Sequence, residues 1–271
     1  MLAEGRVAKV KILSPDEILA RLRELYGQPE WRPHHDATSE LVLTLLSQNT
    51  SDYNSGRAFA RLLQRFPDWQ SVIDAPLAEV EDAIRPGGLA PTKAPRMQAM
   101  LSEVKARRGG FDLQFLADLP VDQATEWLRT LPAVGPKTAA CVLLFGLGMP
   151  ALPVDTHVFR VATRLGLVEE KLGPEKAQTA LEALVPPEEH YSFHILLIRH
   201  GRHTCFARNP ACDRCPLEPE CLYPKGLLRT NKQTSKRTKG EAATGEGRAA
   251  KDKQPAGRGK QQTSKRTTSK A

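Results

Sequence analysis

From Ser14 to about His200, apolar residues recur at helical spacing in one short segment after another, and only Pro/Gly turns separate them. Ser14-Pro-Asp-Glu17 is a capping box with proline at the first helical position, opening a helix through Ile18, Leu19, Leu22 and Leu25. Leu41, Val42, Leu45 and Leu46 mark a more buried helix that ends near Ser47-Gln-Asn-Thr50. Further helices are expected over 56–66, 77–84, 95–107, 121–130, 137–147, 156–165, 175–184 and 191–200. Alternating strand patterns are nearly absent, and segments such as Ala151-Leu-Pro-Val154 are too short and proline-broken to build a sheet. The pattern predicts an all-α fold.

Charge confines that fold to the first 225 residues. The chain of 271 residues carries a formal +8. Residues 226–271 hold 13 Lys/Arg against three acids, leaving 26 basic and 28 acidic side chains for 1–225. After Leu228 the tail has no Val, Ile, Leu, Met or aromatic residue, and it repeats Gln-Thr-Ser-Lys-Arg-Thr at 233–238 and 262–267. It cannot bury enough surface to offset the entropy of ordering, so it reads as a disordered basic end, either solubilising or an electrostatic arm for phosphates. No run of about 18 apolar residues exists, and residues 1–11 lack the apolar stretch of a secretory leader. An intracellular, cytoplasmic protein with no membrane partner is expected.

Four of the five cysteines crowd into Cys205-x6-Cys212-x2-Cys215-x5-Cys221. Short loops of this kind let the chain wrap a small inorganic core with all four sulfurs converging. Four thiolates suit zinc or an iron–sulfur cluster alike. A zinc ribbon uses two Cys-x2-Cys knuckles, whereas this segment has one, and that asymmetry tilts the reading towards [4Fe–4S]. Cys141, within Ala139-Ala-Cys-Val-Leu-Leu144, reads as a buried small hydrophobe.

Leu131-Pro-Ala-Val-Gly-Pro-Lys-Thr-Ala139 is a tight turn running directly into a helix, which leaves backbone N–H groups free to meet a phosphate. Lys137 falls in the first helical turn, where the dipole disfavours a cation. That is a poor position for a structural lysine and a useful one for a nucleophile, although a solvated surface lysine is an equal reading. Asp155, in Val154-Asp-Thr-His157, reads equally as the N-cap of a helix from Thr156 or as a carboxylate returned beside Lys137.

Taken together, Leu46-Ser-Gln-Asn-Thr50, Gly88-Leu-Ala-Pro-Thr-Lys-Ala94, the 131–139 turn, Val154-Asp-Thr-His-Val-Phe-Arg160, His200-Gly-Arg-His-Thr-Cys205 and the cysteine spacing resemble endonuclease III, the helix-hairpin-helix DNA glycosylases with a [4Fe–4S] loop. The likeness covers most of 15–222. It implies two helical lobes with a DNA groove between them: a helical barrel over 36–150 that ends with the hairpin, and an iron–sulfur lobe joining 1–35 to 151–225. It implies a monomer acting on double-stranded DNA that carries a damaged base or an abasic site, with that nucleotide flipped out of the stack. Lys137 would attack C1′, and Asp155 would stabilise the developing charge and relay the lysine proton. The resulting Schiff base would allow β-elimination. Cys205, Cys212, Cys215 and Cys221 would hold the cluster. Val134 and Gly135 would meet phosphate through their backbone, with a monovalent cation between. Gln48 or Asn49, and Leu89 from the opposite loop, would fill the gap left by the flipped base. Arg208, with Arg202 and Arg214, would lie near the DNA backbone, while His157 and His203 would only pack.

Two departures from the family pattern stand out. Gln48-Asn49 replaces the frequent Ala-Gln, and Ala-Pro follows Leu89 where Tyr-Asn is usual. The expected activity is a bifunctional glycosylase/lyase for oxidised pyrimidines. Two alternatives stay open. A monofunctional adenine or mismatch glycosylase would need an acid near the Ser47 helix, where Glu40 exists, but that branch usually lacks the lysine. The other is a noncatalytic [4Fe–4S] DNA-binding or redox-sensing protein.

Overall fold

The computed structural model describes residues 11–32 and 35–226, and among these there are helices and turns but no strand. The basic tail and its repeat lie outside the described residues. The chain runs α1 (Pro15–Tyr26), α2 (Ala37–Leu46), α3 (Asp52–Arg65), α4 (Trp69–Asp74), α5 (Leu77–Ile84), α6 (Ala90–Arg108), α7 (Val121–Arg129), α8 (Pro136–Cys141), α9 (Thr156–Leu165), α10 (Gly173–Leu184) and α11 (His190–His203).

Local chemistry sets the starts. The Ser14–Glu17 capping box closes α1 from both sides, with Glu17 N–H donating to Ser14 Oγ at 3.2 Å and Ser14 N–H to Glu17 Oε2 at 2.9 Å. Asp36 caps α2 by accepting from the N–H groups of Thr38 and Ser39, each at 3.0 Å.

Several boundaries differ from the sequence-based expectation. α3 starts at Asp52 because Ser51 caps it, and α6 starts at Ala90 with Pro95 inside the helix. Pro91 and Pro95 both lie on the exposed face, where water can take the hydrogen bond that Pro95 has no N–H to make. α4 was not expected; an Asp68–Ser71 capping box holds it. The helix expected over 137–147 is α-helical only to Cys141 and continues as a π-helical stretch, Val142–Gly146. Here α2 presses close: a Cβ on Gly146 would sit 2.9 Å from Ala37 Cα.

The buried apolar side chains form two clusters. One draws on residues 37–151, with Leu41, Val42, Leu45 and Leu46 of α2 fully buried against α6 and the 139–143 segment. The other joins Leu13, Ile18, Leu19 and Leu22 to residues 152–221, including Val158, Phe193 and Leu197. At roughly 1.5–3 kcal/mol for each fully buried large aliphatic side chain, these clusters are the main stabilising term. No helix among the described residues is long and apolar enough to cross a membrane.

Candidate functional site

The Leu131–Gly135 turn links α7 to α8, and Val134 N–H closes it onto the Leu131 carbonyl at 3.3 Å. Gly135 is the N-cap of α8 and offers no side-chain cap, while Val134 is buried beneath it. Lys137 follows in the first turn of α8, exposed, with no hydrogen-bond or ion-pair partner among the described residues. Asp155 is the N-cap of α9. Its Oδ1 accepts from the N–H groups of His157 at 2.9 Å and Val158 at 2.7 Å. Both bonds end on one oxygen, so the second carries no bond from the described chain. The capping reading therefore holds, and it leaves half of the carboxylate available.

Lys137 and Asp155 line one cavity of about 590 Å³ with Gln48, Asn49 and Gly135. A second cavity of about 350 Å³ opens beside it, also lined by Lys137 and Asp155, and walled by Leu43, Phe145, Ile195 and Ile198. Glu40 borders this second cavity and is only 6% exposed. Its Oε1 accepts from Thr44 Oγ1 at 3.2 Å, while Oε2 is buried without a partner. Burial pushes the Glu40 carboxyl up to about 7, against small opposing pulls from the Thr44 hydroxyl and the Lys137 charge.

Three loops edge this region, and each carries a non-glycine residue in left-handed backbone: Asn49 (φ 55°), Leu89 (φ 53°) and Ala133 (φ 63°). Such positions cost about 1–2 kcal/mol each and persist only where the surroundings hold them. The holding contacts are visible. Gln48 Nε2 donates to the Ala133 carbonyl at 3.4 Å, tying the first loop to the hairpin. Lys93, buried in α6, donates to the carbonyls of Leu46 at 2.6 Å and Gly87 at 2.9 Å, tying the first loop to the one carrying Leu89. Asn49 and Leu89 are left exposed, Leu89 by 54%.

None of the five cysteines is in a disulfide. Cys205, Cys212, Cys215 and Cys221 line one small enclosed void, whereas Cys141 sits elsewhere, in the α2–α8 core. Among the described residues no three His, Cys, Asp or Glu side chains converge on a single-ion site. Nitrogen groups already address two of the sulfurs. Arg164 Nη1 donates to Cys205 Sγ at 3.1 Å, and His200 Nε2 lies 3.5 Å from Cys215 Sγ. Arg164 also donates to the carbonyls of Phe206 at 2.7 Å and Ala207 at 3.1 Å, fixing the loop from within. Burial raises the thiols of Cys212, Cys215 and Cys221, Cys215 to about 11. Only a cationic core would hold them as thiolates at neutral pH.

The arginines differ in role. Arg208 is exposed on the cysteine loop. Arg202 is paired with Asp52 at 2.6 Å, and Arg214 donates to the His203 carbonyl at 2.7 Å. His157 Nδ1 lies 3.1 Å from Arg160 Nη2, and His203 stacks at a tilt near Tyr26, so both pack. Sequence reasoning missed Lys93 and Arg164, since nothing local distinguishes them from surface cations.

The geometry has close relatives. The sequence profile of the HhH-GPD superfamily base excision DNA repair proteins matches residues 42–187. An endonuclease III of Thermotoga maritima is 34% identical over 183 residues, 68% of this chain and 81% of its own length. A DNA glycosylase of Arabidopsis thaliana is 42% identical over 162 residues, which is 60% of this chain and 55% of that protein, so the chain spans just over half of the plant relative. An endonuclease III solved as a trapped covalent intermediate with DNA superposes with a TM-score of 0.68 at 29% identity, over 80% of this chain and all of that one. With hairpin, lysine and aspartate falling inside the matched span, the chain belongs to the HhH-GPD superfamily of base excision DNA repair proteins.

Proposed function

We propose that this chain is a base-excision DNA glycosylase with an associated β-elimination lyase, removing oxidised or otherwise damaged pyrimidines from duplex DNA through Lys137. The observation that carries the proposal is the uncommitted Lys137 amine in one cavity with the half-free carboxylate of Asp155. The trapped covalent complex of the related endonuclease III agrees with an enzyme–DNA bond on this fold.

The chemistry follows from what each group can do. C1′ is inaccessible within a stacked duplex, so the nucleotide must first be flipped out. Leu89, exposed and apolar, would act as the wedge, and Asn49, the exposed amide, would fill the gap while Gln48 holds the loop to the hairpin. The backbone around Val134 and Gly135 would meet a phosphate, with a monovalent cation completing the contact. Lys137 Nζ then attacks C1′, and the C1′–N bond breaks with its electron pair leaving on the base. The free oxygen of Asp155 stabilises the cationic sugar and accepts a proton from the attacking amine. The nitrogen lone pair then expels O4′ from C1′, opening the sugar ring to a protonated imine while the proton held by Asp155 passes to O4′. The imine acidifies the 2′ position, and loss of that proton expels the 3′ phosphate.

The four cysteines fit a [4Fe–4S] cluster: the donor set is all thiol, the void is shared by four sulfurs, and Arg164 already donates to one of them. When bound, such a cluster would staple the loop that presents Arg208 to the DNA backbone. The setting for this work is inside the cell, on chromosomal DNA.

Borohydride trapping tests the reading. Wild-type protein mixed with an abasic-site duplex should form a reducible covalent adduct, and Lys137→Ala should not. Absence of the adduct in wild type, or its persistence in the variant, overturns the mechanism.

A further inference from the structure

The cavity beside Lys137 contains one polar atom that the reaction described above leaves unused. Its walls are largely apolar, and nearly every polar side chain lining it is committed. Asp52 and Arg202 pair with each other, Ser47 donates to the Leu43 carbonyl, and Ser55 donates to the Asp52 carbonyl. Asp155 caps α9, and His194 Nδ1 lies 2.7 Å from the Pro153 carbonyl oxygen. Lys137 is reserved for the sugar. What remains is Oε2 of Glu40, buried and unpaired on α2. An unsatisfied buried carboxyl oxygen is costly, and natural interiors rarely keep one without a use.

We infer that Glu40 is a specificity-determining residue that hydrogen-bonds the edge of the base flipped into this cavity, acting on base release and not on the strand cleavage that follows. The inference rests on the proposed glycosylase/lyase reading and supplies its missing base contact. A cavity of about 350 Å³ lies within the usual size range of small-ligand sites. Glu40 lines this cavity, which puts its carboxyl within reach of a base lodged there. With the carboxyl raised to about 7, a protonated fraction persists at neutral pH. A protonated carboxyl donates and accepts at once, which complements a ring N–H beside a carbonyl, the imide edge retained by saturated or oxidised thymine and uracil. Six titratable groups border the cavity around that carboxyl, counting from every packed element: Asp52, Lys137, Cys141, Asp155, His194 and Arg202. Burial pushes Cys141 to about 12 and holds His194 near 4, so both are neutral through the working range.

Single-turnover rates on two duplexes separate the steps. One duplex carries dihydrouracil, and the other carries a preformed abasic site that presents no base. The abasic duplex reports strand cleavage alone, so the ratio of base release to abasic cleavage isolates the step that depends on the base. In Glu40→Leu this ratio should fall about tenfold, the loss expected for one net hydrogen bond. In wild type the ratio should decline as pH rises through about 7. In Glu40→Gln, an isostere of the neutral acid, it should stay level across the same window. A ratio equal to wild type in Glu40→Leu, or a wild-type ratio independent of pH, overturns the inference. Failure of the lyase reading is a different result: no borohydride adduct forms on the abasic duplex in wild type. Should Glu40→Leu not fold, the pH profile of Glu40→Gln decides alone.

Discussion

Replacing Lys93 with methionine would remove one ammonium group from beneath the two loops that carry Asn49 and Leu89 while keeping the length of its stem. Lys93 is 3% exposed, and its Nζ is the shared donor to the carbonyls of Leu46 and Gly87. The Leu46 carbonyl is one of those at the C-terminus of α2 that the helix itself cannot satisfy, and a cation there also meets the negative end of the dipole. Hydrogen bonds to a charged donor contribute about 1.5–3 kcal/mol each, and stranded buried carbonyls add a desolvation cost. Against this, burial holds the Lys93 amine below the usual lysine range, so part of that gain already offsets the desolvation of the charge. The net expectation is a loss of about 2–4 kcal/mol in urea unfolding. A second consequence is specific to this site. The left-handed conformations of Asn49 and Leu89 are held by these loops, so loosening them should slow base release from a paired duplex more than cleavage at an abasic site, where no base needs extruding. Arginine at 93 should not rescue either property, because a planar guanidinium is bulkier than an ammonium and this position is buried. A stability loss below about 0.5 kcal/mol, the range of an ordinary surface substitution, would refute the strut. So would a large stability loss with both rates reduced in equal proportion.

Two further outcomes follow from other buried charges. Arg164→Gln should strip the donor from Cys205 Sγ and from the carbonyls of Phe206 and Ala207; iron content per purified chain should fall and proteolysis should nick near 205–212, whereas full iron retention would remove Arg164 from the support of the loop. Glu40 makes stability depend on pH with a definite sign. Its folded value of about 7 exceeds the ordinary glutamate value of 4.5, so its contribution is fully present below the unfolded value and is lost as pH rises through about 7. Urea unfolding should show this step between about pH 4.5 and about pH 7 as a loss of about 3 kcal/mol, and Glu40→Gln should abolish it; an identical pH dependence in the variant would show that other groups carry the effect.

What could be read from the chain was whatever is decided within a turn or two of backbone. Ser14 and Glu17 cap each other across three residues, and Asp155 bonds the N–H groups two and three positions on, so α1 and α9 begin where the residues themselves dictate. The cysteine loop is local in the same sense: four thiols within 17 residues line one small void. Lys137 could be placed in the first turn of its helix for the same reason, since Gly135-Pro136 fixes where that helix starts. The features that escaped depend on partners far along the chain. Pro95 breaks a helix by local rules, yet α6 runs through it because its exposed face gives the orphaned carbonyl to water. The π-helical turn after Cys141 reflects α2 pressing on Gly146, a neighbour more than 100 positions away. Lys93 and Arg164 look like solvated charges until the fold buries them, and each then acquires a task from what surrounds it; Glu40 was legible as an acid on its helix, but its burial was not. The groups proposed to act on DNA announce themselves by residue type and spacing, whereas those that hold them in register are ordinary residues made consequential by burial. Mutational scans guided by motif alone would therefore find the proposed Lys137–Asp155 pair and pass over the struts, which is why Lys93 is the sharper test of this fold.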